Sequence, residues 1–201
     1  MGITIHYKGK IKDTAIIPKL QKEMVSICEV MEWDYQLWNE DFAKPYSASL
    51  QHGENGANIK GHIPIRGITI VVEPENESVN LLFNPQGELT SFMLEIMQHD
   101  GTLTKDQMWV SVKTQFGTVD AHIAIAKLLK YVRKKYIPNL IVKDEGEYWE
   151  TESREHLVKK RAFLFGKLAL VEKALKSIEL DGNETSDQLV EKIERALKNL
   201  K

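Results

Sequence analysis

Two stretches of the chain, residues 3–42 and 110–149, echo each other, and that echo narrows the choice of folds more than any other feature. The first opens Ile-Thr-Ile-His-Tyr-Lys, runs through a helix-like segment and ends at Tyr35-Gln36-Leu37-Trp38-Asn39-Glu40-Asp41. The second opens Val-Ser-Val-Lys-Thr-Gln and ends at Leu140-Ile141-Val142-Lys143-Asp144-Glu145. Each reads strand, helix, strand. In the opening strands Ile3, Ile5 and Tyr7 alternate with Thr4, His6 and Lys8. Val110, Val112, Thr114 and Phe116 alternate with Ser111, Lys113 and Gln115. A period of two marks a half-buried strand. Side chains two apart share a face. Set side by side in one sheet, the two strands would turn Thr4, His6, Lys8, Ser111, Lys113 and Gln115 to a single open surface. Identities between the copies are few, so duplication and coincidence both account for the echo.

The connecting segments have helical spacing. Asp13 or Thr14 caps a stripe of Ile16, Ile17, Leu20, Met24, Ile27, Cys28 and Met31, with Pro18 in the first turn. Thr118 caps a stripe of Val119, Ile123, Ala126, Leu129, Val132 and Tyr136, and Pro138 forces an exit. Trp33 to Trp38 reads as a strand with Tyr35 and Leu37 turned inward. Residues 44–62 form a long connection without a clear period. Residues 63–97 predict a three-strand meander over Ile68–Val72, Val79–Phe83 and Leu89–Met97, with a type I turn at Asn84-Pro85-Gln86-Gly87. After Trp149 the pattern is helical. Ser153 caps a seam of Leu157, Leu164, Leu168, Val171, Leu175 and Ile178 that only Arg161 interrupts. Asp181-Gly182-Asn183 is a turn, and Leu189, Ile193, Ala196 and Leu200 form a second stripe behind Thr185 or Ser186.

The fold class is therefore α+β. A mixed, mainly antiparallel sheet carries helices on one face, with a possible duplicated β-α-β unit. Residues 1–150 form the sheet domain, and residues 151–201 a C-terminal helical hairpin packed on it.

A net charge of −2 gives no reason to expect a polyanion. The basic run Lys127 to Lys135 interleaves apolar residues and reads as a solvated helix face, so no nucleic-acid partner is expected. No apolar run approaches a membrane span. A single cysteine, Cys28, allows no disulfide within the chain and favours a reducing compartment. The expectation is a soluble, cytoplasmic protein.

Seven residues are candidates for ligand binding: His6, Lys8, Lys113, Gln115, His122, Glu145 and Glu147. The first four belong to the open face, which suits a carboxylate or phosphate if it is a site and is an ordinary wet sheet face if it is not. Glu145 and Glu147 belong to Asp144-Glu145-Gly146-Glu147-Tyr148-Trp149-Glu150, four carboxylates in a run of seven. Close carboxylates push their pKa values apart, as a general acid or base requires; the same string also reads as a solvated acidic turn. His122, four residues after the Thr118 cap, is either a base or ligand or a hydrogen-bonded core residue. His52 and His62 sit in the glycine-containing connection.

Phosphate loops, nucleophile elbows and zinc motifs are missing from the sequence. No cofactor and no metal is implied, and no catalytic residue can be named. The reading is a binding or interaction module for a small anionic ligand or a protein partner, with a homodimer allowed through the hairpin seam. The alternative is an enzyme whose acid–base or metal site draws on His6, Lys113, His122 and the 144–150 carboxylates.

Overall fold

The computed structural model describes residues 2–53, 56–178 and 185–198. The turn expected at Asp181-Gly182-Asn183, and Leu200, lie outside them. The chain is α+β, and every strand pairing in the three sheets is antiparallel. β1 (Thr4–Lys8) leads into α1 (Ile17–Met31) and β2 (Asp34–Asn39). A hairpin of β3 (Ser49–Gly53) and β4 (Gly56–Lys60) follows, then β5 (Arg66–Val71), β6 (Val79–Phe83), β7 (Leu89–Thr90) and α2 (Phe92–His99). The second unit is β8 (Val110–Lys113), α3 (Val119–Lys135) and β9 (Ile141–Asp144). The helices α4 (Tyr148–Thr151), α5 (Arg154–Lys176) and α6 (Ser186–Lys198) close the chain.

Strand–helix–strand recurs as expected, and the opening strands β1 and β8 are direct neighbours. The equivalence stops there. The closing strand β9 pairs with β1, giving the order β8-β1-β9, whereas β2 pairs with β5 in the sheet β2-β5-β6-β7. Gly9 O accepts from Leu89 N and Gly87 O from Ile11 N, both at 2.9 Å, tying the end of β1 to the start of β7. Tyr7, fully buried, donates to Asn80 O at 2.9 Å and accepts from Asn80 N at 3.0 Å.

One core unites the two larger sheets. Ile5, Tyr7, Val110 and Val112 meet Ile125, Ala126 and Leu129 of α3, and Leu20, Met24 and Cys28 of α1 meet Ile68, Ile70 and Leu81. Cys28 is buried as expected, which pushes its thiol up to about 11. Glu23 of α1 accepts from Tyr131, Lys135 and Tyr136, and these bonds pull its carboxyl down to about 2. A smaller cluster, Ile63, Ile65, Leu82 and Ile96, fills the space beneath α2.

Four expectations change. The segment Leu89–Met97 is not one strand: β7 is two residues long, and Ser91 then caps α2 by accepting from Leu94 N. The connection 44–62 contains the β3–β4 hairpin. Tyr35 and Leu37 are 40% and 43% exposed, because β2 is an edge strand whose core-facing side is barely covered. Gln115 and Phe116 leave the strand pattern, since β8 ends at Lys113: Gln115 is buried and Phe116 exposed. Thr118 and Ser153 cap α3 and α5 as expected, whereas Asp13 caps the 3-10 turn Thr14–Ile16 that runs into α1, and α1 itself has Ile16 at its N-cap with no side-chain cap. No helix among the described residues is long and apolar enough to cross a membrane.

Candidate functional site: the open face of β8-β1-β9

β1 is the middle strand, so its register fixes the outer face residue by residue. Thr4 lies opposite Lys113, His6 opposite both Ser111 and Lys143, and Lys8 opposite Ile141. Glu145 prolongs β9 beside Thr4: its N–H donates to Thr4 O at 3.1 Å, and its Oε2 accepts from Thr4 N at 2.9 Å. One residue before Val110, the register sets Trp109 beside Lys8. The face is thus a grid with rows Lys113–Thr4–Glu145, Ser111–His6–Lys143 and Trp109–Lys8–Ile141. Alternation sends Ile5, Val112 and Asp144 to the opposite, buried side.

The grid is locally cationic on a chain of net charge −2. Lys8 Nζ and Lys143 Nζ each stand 4.6 Å from the Trp109 ring centroid, and Lys113 Nζ stands 5.2 Å from that of Phe116. An indole attracts an ammonium through its ring quadrupole, but it does not neutralise it, and the N–H donors remain available to an anion. The one carboxylate of the grid is Glu145, whose Oε1 is 4.0 Å from His6 Nε2. At the foot of the grid a cleft of about 320 Å³ opens, lined by Lys8, Lys10, Lys105, Leu89, Met108 and Ile141, with Glu88, Asn84 and Asn139 at its wall.

Beneath the face lies a sealed polar chain. Thr114 Oγ1 is 2.7 Å from His122 Nδ1, and His122 Nε2 is 3.1 Å from Asp144 Oδ2. The side chains of His122 and Asp144 expose no surface. Asp144 also accepts from Gly146 N at 2.8 Å and Trp149 N at 2.9 Å. Burial works to raise the Asp144 carboxyl, but the bonds from His122 and the two amides outweigh it and hold the group below its usual value. With Asp144 ionised, Nε2 carries the proton and Nδ1 faces the Thr114 hydroxyl. Hydroxyl, imidazole and carboxylate are in the order of a hydrolytic triad, but no surface leads a substrate to them. They clamp the ends of β8 and β9 to the first turn of α3. Gly146 permits the clamp: a Cβ there would stand 2.7 Å from Leu157 Cδ1 and 2.9 Å from His122 Cε1.

The segment following β8 is held from three sides. Arg161 of α5 donates to the carbonyls of Thr114 at 2.9 Å, Gln115 at 3.1 Å and Gly117. Asn76 Oδ1 accepts from Gly117 N at 3.0 Å, and Glu73 Oε2 accepts from Thr118 N.

Of the seven sequence candidates, the structure gathers His6, Lys8, Lys113 and Glu145 on the grid. Gln115 is 4% exposed beside Gly2, and its Oε1 has no hydrogen-bond partner. His122 lies under the sheet. Glu147 faces the other way, bonded to His156 and Lys160, which lower its pKa. His62 is engaged by Glu40 Oε2 at 3.1 Å and Asp41 O at 2.9 Å, and the side chain of His52 falls outside the described residues. No group of three or more His, Cys, Asp or Glu side chains among the described residues is placed to hold a metal ion. Trp109 and Lys143 are additions. Lys143 was legible as the residue two before Glu145 on the same strand face. Trp109 carried only its adjacency to Val110.

No protein-family model, curated protein or solved structure matches the chain.

Proposed function

We propose that the protein is a binding module that takes a small anionic ligand on the β8-β1-β9 face. The observation that carries this reading is that Lys8, Lys113 and Lys143 share one sheet surface. Among the described residues, no carboxylate forms an ion pair with the ammonium group of any of the three, although Glu77 Oε2 accepts from the backbone N–H of Lys113 at 2.8 Å. The acid–base alternative has less support, because its groups are dispersed: His122 is sealed, Glu147 is engaged elsewhere, and only His6, Lys113 and Glu145 share the grid. Cys28 as a single free cysteine suits a reducing compartment such as the cytoplasm.

The test is a thermal-shift titration with inorganic pyrophosphate at low ionic strength. A specific binder of the folded state raises the melting temperature. Lys113→Ala and Lys143→Ala are expected to melt within about a degree of the unaltered chain when free, since exposed charges contribute little to stability. Each should weaken pyrophosphate binding about five- to thirtyfold, as the loss of one charge-assisted contact does. A chain that Lys113→Ala unfolds would make Lys113 a structural residue and remove it from the site.

For a macromolecular partner, we propose a second copy of this chain, docked on the far half of α5. Leu157, Arg161 and Leu164 are buried against the body. The same seam continues through Leu168, Val171 and Leu175 at steps of three and four, yet these are 40%, 36% and 42% exposed. Phe163, Phe165 and Leu170 on α5, and Leu189 and Val190 on α6, add to the uncovered apolar surface. Monomers rarely expose contiguous patches beyond a few hundred Å². Two hairpins related by a two-fold axis would bury the seam as a four-helix arrangement.

A further inference from the structure

We infer, resting on the anion-binding reading above, that the ligand is a nucleoside phosphate: a phosphorylated compound that also carries a flat heteroaromatic ring. Lysines alone would serve a simple anion. This site has a second chemistry beside them. Trp109 and Ile141 occupy the two ends of the grid row that Lys8 centres, and Ile141 is 51% exposed. Directly below, the cleft presents Leu89, Met108 and Ile141. Its volume lies at the lower end of the range of small-molecule sites, about 300–1,000 Å³. Methionine adapts to a ring edge or face, and Glu88 at the wall offers an acceptor for ring N–H groups. Lys8 belongs to both regions, so a ligand anchored there by phosphate reaches Lys143 on one side and the apolar cleft on the other.

The cations are also spread out. Lys113 and Lys8 lie two rows and one strand apart, a separation of roughly 14 Å between Cα atoms from strand geometry. A chain of phosphates bridges such a span better than one carboxylate.

The experiment is isothermal titration of the full chain with ATP and GTP, with inorganic tripolyphosphate, with adenosine and guanosine, and with a short oligothymidylate. One of the nucleoside triphosphates is expected to bind at least about tenfold tighter than either of its halves, since ring contacts on an aromatic platform are worth that much or more. Trp109→Ala should remove the advantage while leaving tripolyphosphate affinity within about twofold. Ile141→Ser, a neutral change at a half-exposed position that does not endanger folding, should do the same. Lys143→Ala should weaken nucleotide and tripolyphosphate alike. Equal affinity for tripolyphosphate and nucleotides, indifferent to Trp109→Ala and Ile141→Ser, overturns the ring and leaves the anion reading standing. Oligothymidylate binding tighter than any mononucleotide overturns the small-ligand assignment. Failure of every phosphate compound to bind overturns both readings.

Discussion

At the scale of single residues, the sealed Thr114–His122–Asp144 chain decides what can be changed. Thr114→Val keeps the shape and leaves a buried imidazole nitrogen unpaired. It should cost about 1–3 kcal/mol in urea melts. Asp144→Asn removes the charge and turns one of the two accepting oxygens into an NH2 that faces a buried donor, and a loss of about 2–4 kcal/mol is expected. The pH signature separates the two. The folded pKa of Asp144 is depressed, so its stabilisation is fully present above the ordinary value of 3.8 and fades as the pH falls through the lower folded value. The unaltered chain and Thr114→Val should therefore lose stability on acidification more steeply than Asp144→Asn. Equal acid slopes for all three would remove Asp144 from the account. The burial of His122 was legible from its helical stripe with Ala126 and Leu129. Its partners were not, because they come from two other elements. The acidic string misled for a geometric reason. Glu147 adopts a left-handed conformation, φ 59°, so successive carboxylates around it point into the core, onto the sheet face and toward α5.

Among the elements, α5 shows most clearly how a pattern can be read and its meaning missed. Arg161 appears in the sequence as a break in an apolar seam. In the fold it is 8% exposed and serves three carbonyls at the start of α3, so the break is the anchor of the helix. Arg161→Leu fills the seam but strands those carbonyls. A cost of about 3 kcal/mol is expected, with faster hydrogen exchange confined to residues 114–118 and the first turns of α5. Unchanged exchange in 114–118 would mean that the guanidinium does not hold them. The strands with a clean period of two, β1, β8 and β5, could be read from sequence because burial on one face writes itself into alternation. Leu89–Met97 could not, since a short apolar run fits a strand or a buried helix equally well. The β3–β4 hairpin left no alternating pattern, because the side chains of residues 49–51 and 58–60 are all exposed, Leu50 and Ile59 included.

For the whole molecule, the uncovered seam of α5 and α6 sets the expected assembly. Light scattering on the eluting peak should give twice the chain mass of 23.0 kDa, and Leu168→Glu with Leu175→Glu should shift it to the single mass with the sheet core still folded by circular dichroism. A chain that is monomeric at tens of micromolar before any substitution refutes the pairing. The placement of β1 has a further consequence, which concerns synthesis. Ile3 O bonds a residue 111 positions away, and Thr4 N one 141 positions away. At about 5–20 residues per second, the ribosome needs roughly 7–30 s to deliver those partners after β1 has emerged. Throughout that interval Ile3 and Ile5 wait without their neighbouring strands in the nascent chain, a stretch for chaperones to shield, and translation speed becomes a determinant of yield.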